Sequence, residues 1–125
     1  MCKLKLSEKT SITEVKEWFS SCFPLLKIEI YNKEHQSGEG NSITEQINGN
    51  VQLSTLGYSG ESIEFVIFED YSTNLVEHMF LTKLRVNAQI FRLNNKTWIQ
   101  TISTDNWTLA EQMKRAKEYQ GDNVA

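Results

Sequence analysis

Thr101-Ile102-Ser103-Thr104-Asp105 packs three hydroxyls and a carboxylate into five residues. Polar groups placed between the end of a strand and the start of a helix often hold ligands. The same groups also suit helix capping and corner hydrogen bonding, and that reading is preferred here. A second set precedes it: Arg92, Lys96 and Trp98. Cations beside an aromatic ring on a sheet can grip an acidic partner or stack a single-stranded base. The net charge of −3 argues against general nucleic-acid binding, so a protein partner is the better match.

Other chemistries find less support. The two histidines, His35 and His78, lack ligand spacing, so no metal is expected. No nucleophile-elbow sequence is present, and a Ser–His–acid or Cys–His catalyst is not supported. Gly38-Glu39-Gly40-Asn41-Ser42 has no lysine after its glycines, and Glu39 would repel an anion, so it reads as a plain loop. Cys2 and Cys22 fit no metal pattern, and Cys22 follows a helical stripe as a buried thiol would. No cofactor is implied.

These residues must be held by a definite set of elements. Ala88–Arg92 and Thr97–Thr101 are rich in β-branched and aromatic residues, with Asn94-Asn95 between them, and read as a β-hairpin. A turn over Leu93–Lys96 would set Arg92 opposite Thr97, Phe91 opposite Trp98 and Ile90 opposite Ile99. Both faces are apolar, so one meets the core and the other is at least partly covered. Thr108-Leu109-Ala110-Glu111 is a capping box opening a helix over about 108–119, with Gly121 past its end, and Thr104-Asp105 offers a competing cap.

Upstream, Ser11-Ile12-Thr13-Glu14 is another capping box, and Ile12, Val15, Trp18, Phe19 and Cys22 form its apolar stripe. Pro24 stops that helix. Leu25–Tyr31 alternates as a strand with Leu26, Ile28 and Ile30 inward. Residues 32–50 read as a long loop carrying an edge strand or short helix. Val51–Leu56 is ambiguous between a strand and one helical turn, and Ser62–Phe68 is a strong strand. Ser72 or Thr73 caps a helix with stripe Leu75, Val76, Met79, Phe80 and Leu84. The order is helix, strand, possible strand, strand, helix, hairpin, helix. It predicts an α+β fold with a mixed or antiparallel sheet and helices mainly on one face.

A chain of 125 residues predicts one domain, with a core large enough to need no staple. Hydrophobic and charged fractions of 39% and 23% are those of a soluble globular protein. No apolar run could span a membrane, and the first eight residues lack the apolar centre of a signal peptide. A cytoplasmic protein with reduced cysteines is expected. Charge is uneven. Residues 83–117 carry Lys83, Arg85, Arg92, Lys96, Lys114, Arg115 and Lys117 against only Asp105 and Glu111, while Glu29–Glu45 and Glu61–Asp70 are acidic.

Two segments carry a resemblance. One runs from Ser11-Ile12-Thr13-Glu14-Val15 to Phe23-Pro24-Leu25-Leu26-Lys27-Ile28-Glu29. The other runs from Gln89-Ile90-Phe91-Arg92 through Trp98-Ile99-Gln100-Thr101 to Thr104-Asp105-Asn106-Trp107-Thr108-Leu109-Ala110-Glu111-Gln112. Together they resemble a family of small uncharacterised bacterial proteins. That family carries a C-terminal Trp-x-x-Thr-x-x-Thr-Asp-x-Trp-Thr-Leu-x-x-Gln motif. Gly38-Glu39-Gly40 is similar to the family's loop. The chain departs where the family tends to have Gly, at Asn95 in the hairpin and at Arg85 ending the second helix. The resemblance implies a cytoplasmic bacterial protein and supplies no catalytic residue.

The function these residues point to is a small non-enzymatic domain acting through protein contacts, with a protein partner or a homodimer and no membrane. The contact surface would be the outer side of the hairpin, with Arg92, Lys96 and whichever pair, Phe91/Trp98 or Ile90/Ile99, faces away from the helices. The alternative is a small-molecule or nucleotide-binding domain with its site at Thr101, Thr104 and Asp105.

Overall fold

The structure, a computed structural model, describes residues 1–31, 46–47 and 49–121. It is an α+β fold in which every described strand pairing is antiparallel. The elements are β1 (Cys2–Leu6), α1 (Ile12–Cys22), β2 (Leu26–Tyr31), β3 (Gln46–Ile47) and a 3-10 turn (Leu53–Leu56). There follow β4 (Ile63–Ile67), α2 (Thr73–Leu84), β5 (Asn87–Asn94), β6 (Thr97–Gln100) and α3 (Leu109–Gly121). One sheet is the pair β1-β4, and the other has the order β3-β2-β5-β6.

The chain therefore opens on a strand, which the expected order lacked. The signal was present as Cys2-Lys3-Leu4-Lys5-Leu6, a period-2 alternation whose Cys2 and Leu6 are buried. A second difference follows from β1. It brings Cys2 to Cys22 at the end of α1, with a Cα–Cα distance of 5.7 Å, and the two form a disulfide. The expectation of reduced cysteines, with Cys22 as a buried thiol, is corrected accordingly. Sequence spacing alone could not show that β1 lies alongside α1.

Local signals account for most boundaries. Ser11 caps α1 through the Glu14 amide, and Glu14 returns a carboxylate oxygen to the Ser11 amide. Thr108 and Glu111 do the same for α3. Ser72 caps α2. The ambiguous segment Val51–Leu56 resolves into one 3-10 turn closed by Gly57 at φ 105°.

The hairpin differs in register. Phe91 faces Gln100, Arg92 faces Ile99, Leu93 faces Trp98 and Asn94 faces Thr97, so the loop is only Asn95-Lys96. Asn95 takes φ 62°, which lets two residues close the turn. Each partner moved by two residues, an even shift, so Phe91 and Trp98 still share a face. Arg85, ending α2, also adopts the left-handed conformation, at φ 58°. Asn95 and Arg85 are thus non-glycine residues in the left-handed region, where Gly would relieve strain.

The core lies between the sheets and helices. Ile28 faces Ile90 across β2 and β5, and both are fully buried, as are Phe19, Phe65 and Phe80. Phe65 stacks on Phe80 at 4.8 Å between centroids and meets Trp18 edge-on at 6.2 Å. The expected stripe of α2 needs one correction: Leu75 is exposed, while Thr73 and Glu77 are buried with Val76, Phe80 and Leu84. Helical spacing places Thr73 and Glu77 on the Phe80 side and swings Leu75 away.

Candidate functional site

The residues singled out for chemistry divide into a buried network and an exposed edge. At the centre of the network is Gln112 on α3, fully buried. Its side-chain amide donates to Thr73 Oγ1 at 3.2 Å and to the Thr104 carbonyl at 2.8 Å. Its carbonyl accepts from Arg92 Nη1 at 2.7 Å. The Arg92 guanidinium also lies over the Trp107 ring, 5.5 Å from its centroid. Thr101 donates its hydroxyl and its amide to the Ile90 carbonyl. Arg92 and Thr101 are therefore buried in the fold's own hydrogen bonding, not presented at a surface.

The corner between β6 and α3 also works through its backbone. The Thr73 and Asn74 amides, at the start of α2, donate to the Trp107 and Asp105 carbonyls. In return the Leu109 and Ala110 amides, at the start of α3, donate to the Tyr71 and Glu69 carbonyls. Each helix start is closed by the segment leading into the other, which satisfies donors that a helix leaves orphaned. Asp105 acts here through its carbonyl, and on α2, where the sequence suggested a side-chain cap on α3. Thr104, Trp107, Thr108, Leu109 and Gln112 of the C-terminal motif all have structural partners or burial.

Lys96 and Trp98 lie elsewhere, on the loop and on β6, and both are exposed. Trp98 keeps 38% of its surface open, one of the few large apolar side chains among the described residues to do so. Lys27, on the same face of β2, sets its ammonium 5.1 Å from the Phe91 centroid and 5.1 Å from the Trp98 centroid. Next along β2, buried Glu29 lies between Lys16 at 2.8 Å and Lys27 at 3.2 Å. The Lys16 contact is an ion pair off the line of a hydrogen bond.

Sequence reasoning missed Glu77. Its Oε2 accepts the Ile90 amide at 2.8 Å and the Gln89 side-chain amide at 3.0 Å. Burial pushes its pKa up to about 8 against the opposing pull of the Ile90 amide, and Asp105 nearby raises it further. Tyr31 is also pushed up, first by burial and in part by Glu29 and Glu77. The only sequence signal was position: a glutamate one turn after Thr73 and three residues before Phe80 falls on the inward face.

His78 is exposed and lines a cavity with Glu77. His35 and the Gly38–Ser42 loop lie outside the described residues. Among the described residues no three His, Cys, Asp or Glu side chains converge as a metal site requires. No helix among them is long and apolar enough to cross a membrane. Compared with known protein families, curated proteins and solved structures, the chain matches none.

Proposed function

We propose that this is a small non-enzymatic domain that works through protein contacts, made at the open edge of β6, with a second copy of the chain as the partner. The observation that carries this reading is Trp98, an exposed aromatic on the last strand of the four-stranded sheet. The Thr101 amide bonds to the Ile90 carbonyl, so antiparallel alternation pairs 92 with 99 and 94 with 97 in the ladder. The backbone N–H and C=O of Trp98 then point away from β5, where no further described strand lies. An added strand can take both groups, and the ring supplies apolar area beside them. Lys27 and Lys96 favour an acidic approach, which the chain itself offers in residues 61–70. A self-complementary contact of this kind closes as a two-fold dimer.

Amide hydrogen exchange tests the contact. The Trp98 amide should slow as protein concentration rises, and salt should oppose the slowing. Unchanged exchange at every concentration would remove the second copy as partner.

The alternative, a ligand site at Thr101, Thr104 and Asp105, draws less support because Thr101 is bonded to the Ile90 carbonyl, Thr104 joins the Gln112 network and the Asp105 carbonyl closes the start of α2. We infer further that the chain belongs with the small bacterial proteins it resembles, on the strength of the motif that builds that network. The Cys2–Cys22 bond counts against a cytoplasmic location, since such bonds persist mainly in oxidising compartments. Thiol titration of protein trapped with a thiol-blocking reagent at lysis shows whether the bond is present in the cell.

A further inference from the structure

We propose that the cavity beside the first half of α2 binds a small organic cation bearing a primary ammonium group, with Glu77 as its counter-charge. The cavity, of about 370 Å³, is lined by Ser72, Asn74, Leu75, Glu77, His78, Leu81 and Asn87. That volume suits a small molecule. Glu77 is 7% exposed, and Oε2 takes both of its hydrogen bonds, from Ile90 and Gln89. Its other carboxyl oxygen takes none from a described residue and is the acceptor left for a ligand.

The sign of the ligand follows from what surrounds the cavity. No lysine or arginine lines it. The start of α2 offers an anion nothing, because the Thr73, Asn74 and Leu75 amides are already taken by Trp107, Asp105 and Ser72. The Asp105 carboxylate acts on Glu77 from the corner before α3, and the Tyr31 phenol faces it from β2. His78 is the titratable neighbour on the same helix. An ammonium group would meet a carboxylate and the Ser72 hydroxyl, with Leu75 and Leu81 covering an alkyl chain. Burial keeps Glu77 protonated in the empty cavity, so binding the cation releases one proton from Glu77 to solvent.

The test is an NMR titration of the full, isotope-labelled chain with butylammonium, and with uncharged butanol as the matched control. Butylammonium should shift the amides of Ser72–Leu81, Asn87 and Ile90 saturably, and butanol should not. Affinity should rise on the order of tenfold per pH unit below about pH 8 and level off above it, because the cation must displace a proton. Glu77→Gln should abolish the saturable shifts while leaving the remaining spectrum in place. Equal binding of butanol, retained binding in the Glu77→Gln protein, or affinity that falls with rising pH would each overturn the proposal. The wild-type pH series and the butanol control decide the matter even if the variant fails to fold.

Discussion

Glu77 makes the stability of this protein depend on pH in a way that one substitution removes. The folded chain holds its carboxyl at about 8, and the ordinary value is 4.5. Between those limits the folded state keeps a proton that the unfolded state has lost. Unfolding then releases a proton, so stability falls as pH rises from about 4.5 to about 8 and stays level for this group above that. Each pH unit inside the window costs about 1.4 kcal/mol, which sums to on the order of 5 kcal/mol by its upper end. Water entering the cavity reduces that figure, so it is an upper bound. Glu77→Gln keeps an oxygen to accept the Ile90 amide and carries no charge at any pH. Urea melts of both proteins from about pH 5 to about pH 9 isolate the effect, since other titrating groups are common to both. The two should be nearly equal near pH 5, and the variant should gain by several kcal/mol toward pH 9. Parallel curves would refute the assignment of a buried neutral carboxyl.

Three further outcomes follow from the buried network and the caps. Gln112→Leu should cost about 3 kcal/mol in urea melts, because it strips a hydrogen bond from buried Arg92 and from Thr73 together; a loss under about 1 kcal/mol contradicts the network's role. Thr108→Ala should cost on the order of 1 kcal/mol through the lost α3 cap, and Thr108→Ser should recover most of it. Under non-reducing conditions the native protein should show no free thiol, and reduction should lower stability by about 3 kcal/mol for a loop of this length; two reactive thiols in unreduced protein would show that Cys2 and Cys22 are not joined.

Much of the fold was legible because short-range rules set it. Ser11 with Glu14, Thr108 with Glu111, and the alternation of Leu26, Ile28 and Ile30 each needed only neighbours three or fewer residues away. The inward stripe of α1 and the strand Ile63–Ile67 were readable for the same reason. The differences came from distance. The pairing of Cys2 with Cys22 depends on β1 joining β4, a contact across about sixty residues of chain that no spacing announces. The hairpin register turned on Asn95 taking a positive φ, and the sequence reading set a four-residue turn over Leu93–Lys96 instead. Asn94-Asn95 marks a turn without saying how tight it is.

The polar residues carried the sharper lesson. Arg92, Thr101 and Thr104 were candidates because they are polar and close in sequence, yet Gln112 holds Arg92 and Thr104, and the Ile90 carbonyl holds Thr101. Glu77 was given no buried role because glutamate in a helix is usually solvated. Its role appears only where β6 diverges from β5 and leaves the Ile90 amide needing an acceptor. Lys96 and Trp98 remained at the surface because β6 is the last strand of its sheet.

Sedimentation velocity on wild type and Trp98→Ala, at matched micromolar concentrations, tests the account of function most directly. Trp98 is partly exposed, so the variant should unfold at nearly the wild-type denaturant midpoint. Wild type should shift from monomer toward dimer as concentration rises, less so in high salt, and Trp98→Ala should remain monomeric throughout. A wild-type chain that stays monomeric across the range, indistinguishable from the variant, would contradict the β6 edge as a self-contact surface.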